Sequence, residues 1–385
     1  MARPPGFFKK RPGATAPASP GGVASRPQAP AVSHPPSTTE PGGPRPVAPA
    51  AAGEDEEVFE ATLRPQRFED FVGQERVTQN LRVYVKAALK RNEAIDHILL
   101  SGPPGLGKTT LARIVANELG VDFFGTSAPA LKKPGDLVGL LTSLPERAVL
   151  FIDEVHRLTP ALEEYLYSAM EDFFIDLTVD QGAAARPIRF QLKPFTLIAA
   201  TTRDGLLSRP FQDRFGIPQK LVFYSPEELT RIVQRSARIL AVPVAHGAAP
   251  EIAQRARKTP RIANRLLRRL RDWAEVEGSG TLTLEIARKG LEREGVDEQG
   301  LDTMDRRILQ SLVQHRGAPV GVKTIAAMVG EESDTIEEVY EPFLIQEGYI
   351  LKTPRGRVLA AKGYEHLGLK PVPPRNGDAT DELFA

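Results

Sequence analysis

The sequence contains no cysteine, so it holds no disulfide framework and no thiolate zinc site, and its six histidines are scattered without an HExxH pair. Magnesium is the one metal this composition leaves as an expectation. Long hydrophobic runs are missing as well. No apolar stretch approaches the roughly 18 residues a membrane helix needs, and Met1-Ala2-Arg3-Pro4-Pro5-Gly6 leads into no signal-type apolar region, which points to a cytoplasmic protein with no membrane partner. Nor is there an excess of charge. Fifty Lys and Arg against 49 Asp and Glu give a formal net charge of +1, so contact with nucleic acid has to come from local clusters. What remains is a long chain rich in core-forming residues: 385 residues, 41% hydrophobic, are too many for one ordinary core and suggest two or three folded units.

The informative segment is Gly102-Pro103-Pro104-Gly105-Leu106-Gly107-Lys108-Thr109. An apolar His97-Ile98-Leu99-Leu100 precedes it, and a helically spaced run from Thr110 to Leu119 follows, so the glycines fall in a strand-to-helix turn, the context a P-loop requires. Such a turn offers backbone N–H groups to phosphate, directs Lys108 to the β- and γ-phosphates and gives the Thr109 hydroxyl to magnesium. Downstream, the apolar Val149-Leu150-Phe151-Ile152 ends in Asp153 and Glu154. Asp153 is expected to orient the magnesium shell and Glu154 to activate water in line with the γ-phosphate. His156 reads as an orienting or packing residue beside these acids. A further strand, 195–201, leads to Thr202, whose hydroxyl suits contact with water or γ-phosphate. Two arginines follow, Arg214 before a strand and Arg261 at a helix N-terminus, and planar, permanently charged guanidinium suits phosphate oxygens.

Along the chain, residues 1–57 carry 13 of the 34 prolines and end in Glu54-Asp55-Glu56-Glu57, the composition of a disordered tail. Strand-like and helical runs alternate over 58–224, which predicts a parallel α/β sheet. Residues 225–297 are helical throughout, starting with the cap signal Ser225-Pro226-Glu227-Glu228, and read as a small lid. Residues 298–370 combine three helices, the last expected over 333–347, with two short strands, 349–351 and 357–359, as in a winged helix; 371–385 reads as a flexible tail. The wing carries Lys352, Arg355 and Arg357, a cluster able to neutralise DNA phosphates without reading sequence.

P-loop, acidic strand, Ala-Thr-Thr strand end and two arginine motifs, in this order before a helical lid, resemble the AAA+ ATPases. The segments FVGQE, GPPGLGKTTLA, KPGDL, FIDEVHRL, YSAMEDF, PFTLIAATTR, DRFG, TPRIANRLLRR, GLDTMDRRIL, EPFLIQEGY and TPRGR narrow the resemblance to the RuvB family of Holliday-junction branch-migration motors, over about residues 58–370. The resemblance implies an α/β P-loop AAA+ domain, a helical lid and a C-terminal winged helix. It implies a nucleotide site formed by Leu63, Arg64, Tyr224, the P-loop from Gly102 to Thr110 (Thr110 included) and Glu171, Asp172 and Phe173. Arg261 would be the lid's sensor, and Arg214 a finger reaching the neighbouring subunit's γ-phosphate in a homo-hexamer. The partners implied are duplex DNA and four-way junctions, a RuvA-like junction-binding protein and a junction resolvase. The RuvA-like protein would dock on a hairpin over 174–192, with Gln181-Gly182-Ala183 as turn and Ile188 and Phe190 outward. The chain departs from the family pattern at Ser333 and Lys352, where Arg is usual, at Lys258, where Gly is usual, and at Phe211-Gln212, where Leu-Arg is usual; the first two weaken the basic surface. A clamp-loader-like ATPase would share the ATP site but not TPRGR, and a winged-helix regulator using ATP only as a conformational ligand would not need Glu154 or Arg214.

Overall fold

A computed structural model describes residues 54–179 and 186–372, without the side chains of 54–58 and 177–187. The proline-rich segment up to residue 53, the hairpin turn 180–185 and the tail from 373 lie outside the described residues. The large domain runs through α1 (Glu54–Leu63), α2 (Glu75–Arg91), β1 (Ile98–Ser101), α3 (Lys108–Leu119), β2 (Phe123–Ser127), α4 (Pro134–Ser143), β3 (Val149–Asp153) and α5 (Pro160–Glu171). It continues through β4 (Phe174–Val179), β5 (Arg186–Gln191), β6 (Thr196–Thr201), α6 (Arg209–Gln212) and β7 (Ile217–Lys220). Five strands form a parallel sheet ordered β2-β3-β6-β1-β7.

The strands are apolar along their whole length because both faces are covered. Successive side chains alternate between two cores: Ile98, Leu100, Phe151, Ile198 and Ala200 face one, while Leu99, Leu150, Ile152, Leu197 and Ala199 face the other. Insertion of β6 between β1 and β3 opens a crevice at the carboxyl ends of the strands, where this kind of sheet binds ligands. The glycine turn after β1, Asp153 at the end of β3 and Thr201 at the end of β6 all emerge there.

The lid comprises α7 (Pro226–Ile239), α8 (Ala248–Gln254), α9 (Pro260–Glu277) and α10 (Leu284–Arg293). The expected cap is present: Ser225 Oγ accepts from Glu228 N at 3.2 Å while Glu228 Oε2 accepts from Ser225 N at 2.8 Å. Lid residues such as Leu229, Leu266 and Leu267 share one continuous core with Ile98 and Leu111 of the large domain.

The head has its own core and comprises α11 (Thr303–Val313), α12 (Val322–Val329), α13 (Ser333–Thr335), α14 (Glu341–Gln346), β8 (Ile350–Thr353), β9 (Gly356–Leu359) and α15 (Ala361–His366). The single helix expected over 333–347 is interrupted: Ile336–Tyr340 forms a π-helical turn between α13 and α14. The wing is an antiparallel β8–β9 pair, with strand ends within two residues of those expected. Gly356 is required at its tip, because at φ 145° a Cβ there would lie 2.4 Å from the Val320 carbonyl oxygen. Lid and head are joined by Arg257, buried between Asp302 (3.3 Å) and Asp305 (3.1 Å), and by an ion pair from Lys258 to Glu347. Lys258 adopts φ 57°, the left-handed conformation for which glycine is the easier residue, so this ion pair accompanies a backbone cost. Among the described residues no helix is long and apolar enough to cross a membrane.

Candidate functional site

A cavity of about 290 Å³ lies between the P-loop and the lid. Pro104, Gly105, Leu106, Gly107, Lys108, Thr109 and Thr110 form its floor; Leu63 and Arg64 enter from the segment after α1, and Asp153, Glu154 and Thr202 come from the strand ends. Tyr224 and Arg261 close the lid side. Gly102 and Pro103 do not line the cavity; their carbonyl oxygens hold the Lys108 ammonium at 2.7 and 2.9 Å. Gly102 stands at φ 136°, where a Cβ would meet the Leu221 carbonyl oxygen at 2.6 Å, so only glycine lets β1 turn into the loop.

Lys108 begins α3 and is buried, which pushes its ammonium down to about 8 against the opposing pull of Asp153, Glu154 and Glu338. Asp153 Oδ1 accepts the Glu154 N–H at 2.9 Å. Glu154 takes φ 51°, and its carboxyl is raised above the usual range by burial, with Glu338 and Asp153 adding to the effect and Arg157, 3.3 Å away, opposing it. Thr202 Oγ1 is buried without a hydrogen-bond partner among the described residues. A buried hydroxyl left unmade beside such a cavity fits a ligand with oxygen acceptors or an ordered water. Thr201 Oγ1 meets His156 Nδ1 at 3.0 Å, and burial lowers that imidazole below its ordinary value, so His156 braces β6 against the turn after β3.

Tyr224 donates its hydroxyl to the Leu106 carbonyl at 3.1 Å, and burial raises its phenol. The Arg261 N–H reaches the Gly105 carbonyl oxygen at 3.4 Å, tying the start of α9 to the P-loop. Glu60 and Gln74 are among the participants not given a role from the sequence. Glu60 on α1 lines the cavity and meets Arg261 Nε at 2.7 Å, and Gln74 bonds both ways to the main chain of Val222 (2.5 and 3.1 Å), strapping the segment that leads into the lid. Gln74 lies in the FVGQE segment, which carried the resemblance but no role; nothing in the pattern around Glu60 announced it.

Several expected site residues lie elsewhere. Arg214 does not line the cavity: it stacks 4.2 Å over the Tyr167 ring and pairs with Glu171 at 3.3 Å, while its Nε is buried without a hydrogen-bond partner among the described residues. Glu171, Asp172 and Phe173, expected at the nucleotide site, do not line this chain's cavity either. Glu171 ends α5 and pairs with Arg214, and Phe173 packs against His97 and Phe195 while its carbonyl accepts the Leu192 N–H. On the wing, Lys352 and Arg355 are exposed, but Arg357 is not. It is only 7% exposed and committed to Glu341 (3.0 Å) and Glu337 (2.5 Å), which removes it from the phosphate-contacting set, because a buried guanidinium between two carboxylates has neither access nor spare charge. Ile188 and Phe190 are 45% and 38% exposed, opposite Leu177 and Ile175, and Arg189 between them forks onto Asp176 across the hairpin at 2.9 Å twice. Neither apolar residue is a core residue.

Three family models match in succession: the Holliday junction DNA helicase RuvB P-loop domain over residues 63–221, the RuvB AAA lid domain over 224–297 and the RuvB C-terminal winged helix domain over 298–368. The chain belongs to the RuvB family. It is 59% identical over 320 residues to the Holliday junction branch migration complex subunit RuvB of Myxococcus xanthus, covering 83% of this chain and 93% of that protein. The corresponding subunit of Flavobacterium johnsoniae is 59% identical over 311 residues, covering 80% and 92%. Among solved structures, the Thermotoga maritima RuvB Holliday junction branch migration motor superposes with a TM-score of 0.74 at 46% identity, covering 80% of this chain and 99% of that one. The RuvB architecture of parallel P-loop domain, lid and winged helix is therefore the architecture of this chain.

Proposed function

We propose that this RuvB-family chain hydrolyses ATP to drive branch migration of four-way DNA junctions, in homologous recombination and DNA repair. The observation that carries the reading is the convergence of Lys108, Glu154, Thr202 and the lid's Arg261 on one cavity, in a chain that matches the RuvB models from residue 63 to 368. P-loop N–H groups and Lys108 bind the phosphates, and Glu154 orients and deprotonates the attacking water. Thr202 senses the γ-phosphate, and Arg261 transmits its loss to the lid. Thr109 and Asp153 line the same cavity and offer the hard oxygen donors magnesium takes; they would hold the ion, which would supply positive charge against the phosphates. The turning lid carries the head with it through the Arg257 and Lys258 contacts.

The same reading includes a homo-hexamer, in which Arg214, with Glu171, Asp172 and Phe173, faces the neighbouring subunit's nucleotide. It includes a RuvA-like partner on Ile188 and Phe190, a junction resolvase acting on the product, and a cytoplasmic setting. We assign residues 58–224, 225–297 and 298–370 to the motor, lid and head. ATP-dependent dissociation of a synthetic four-way junction, with and without a RuvA-like protein, tests the function. Steady ATP hydrolysis with no junction dissociation under either condition would point instead to a clamp-loader-like remodelling ATPase.

A further inference from the structure

We propose that Glu338, on the π-helical turn of the head, is a positioning residue that couples the DNA-facing wing to the catalytic carboxylate Glu154. Its side chain is 11% exposed and reaches into the large domain, where it meets Arg203 Nε at 3.3 Å, Arg157 Nη2 at 3.4 Å and His156 Nε2 at 3.9 Å. These three residues flank the two functional strand ends: Arg203 follows Thr202, and Arg157 also holds Glu154 at 3.3 Å. On the other side, Arg203 is shared with Glu337 at 3.2 Å, and Glu337 is shared with Arg357. Arg357 shares Glu341 with the exposed Lys352, 3.9 Å from that carboxylate. The charges alternate without a break from the wing to the active site.

In such a series each arginine divides itself between two carboxylates, so a change of partner at one end redistributes the next. A phosphate that draws Lys352 away leaves Glu341 more fully to Arg357. Arg357 then loosens its hold on Glu337, which draws Arg203 away from Glu338. Glu338 in turn pulls Arg157 from Glu154, leaving that carboxylate free to face water. The π-helical turn is what presents Glu337 and Glu338 side by side to the large domain, and turns of this kind recur where a helix is bent to function. The inference rests on Glu154 as base and on the wing as a DNA surface. Both have separate tests, so their failure is distinguishable from failure of the coupling.

The experiment uses the full chain with a linear duplex as probe, measuring duplex affinity by anisotropy, melting temperature, and ATP turnover with and without duplex. For Glu338→Gln the expected result is a kcat lowered about tenfold with KM for ATP within about twofold, and duplex affinity unchanged. Stimulation by duplex should be abolished, and Glu338→Asp should restore part of it. Glu337→Gln, which touches no catalytic residue, should also abolish stimulation. A folded variant of either residue that is stimulated by duplex as strongly as the unmodified chain overturns the proposal. A check independent of any variant is hydrogen exchange of the unmodified chain: duplex should change protection over both 333–346 and 154–158, and a change confined to the wing overturns the coupling equally.

Discussion

The role proposed for Glu154 rests on its backbone geometry and its burial. A non-glycine residue at φ 51° stores local strain, of order 1–3 kcal/mol, and such strain persists where surrounding structure enforces it. Here the enforcement is the Asp153 carboxylate on its N–H and the burial of β3 behind it. Burial also raises the Glu154 carboxyl, which suits a base near neutral pH. Glu154→Gln should retain ATP binding and lose turnover by about 10²–10⁴, checked by nucleotide titration and single-turnover hydrolysis. Turnover near that of the unmodified chain would remove Glu154 from its role. Lys108 yields a pH dependence. Its ammonium is charged below about 8 and neutral above, and phosphate binds the charged form. ATP affinity should therefore be flat at lower pH and weaken by up to about tenfold per pH unit as pH rises past that point, with Lys108→Arg flattening the curve in calorimetric titrations. A flat curve for the unmodified chain would contradict the lowered ammonium.

At the scale of elements, the wing and the β4–β5 hairpin present side chains that the same sequence pattern would have treated alike. Lys352→Ala with Arg355→Ala should weaken duplex binding uniformly across sequences and reduce the salt slope by about 0.9 for each phosphate no longer neutralised; an unchanged slope would place the DNA surface elsewhere. Arg357→Ala behaves differently. It takes from Glu341, 2% exposed, the guanidinium that meets both of its oxygens, so it should cost about 3 kcal/mol of stability, read as a lowered denaturation midpoint. On the hairpin, Ile188→Asp with Phe190→Asp should abolish capture of a RuvA-like protein while melting temperature and basal turnover stay unchanged, since both side chains already stand in solvent. Junction migration with the partner by a stable double variant would move the docking site.

For the whole molecule, the position of Arg214 outside its own cavity, paired with Glu171 and stacked on Tyr167, agrees with the proposed action on a neighbour's nucleotide. Arg214→Ala should keep ATP affinity and lose about 10³–10⁵ in turnover. Mixing it with Lys108→Ala chains should restore activity at those interfaces where an intact nucleotide site faces an intact arginine. Confirmed mixed rings with no recovery at any ratio would exclude action in trans.

Read alone, the sequence determined the features whose physics is local. A glycine-rich turn between an apolar strand and a helix, an apolar strand ending in two acids, and Ser-Pro-Glu-Glu at a helix start are each set by neighbours a few residues away, and each lies where the spacing placed it. Features that depend on partners distant in sequence were decided only by tertiary structure. Arg357 looked like its wing neighbour Arg355 until Glu337 and Glu341 buried it, and Glu171 looked like part of the P-loop site until the end of α5 set it beside Arg214. Helical spacing over 333–347 gave no sign of a π turn, because its apolar positions are compatible with either winding. Nor did it reveal that the acidic residues of that turn would stand on Arg157 and Arg203, more than a hundred residues earlier in the chain. Exposure and charge pairing are properties of surfaces brought together, and folding alone decides which surfaces meet.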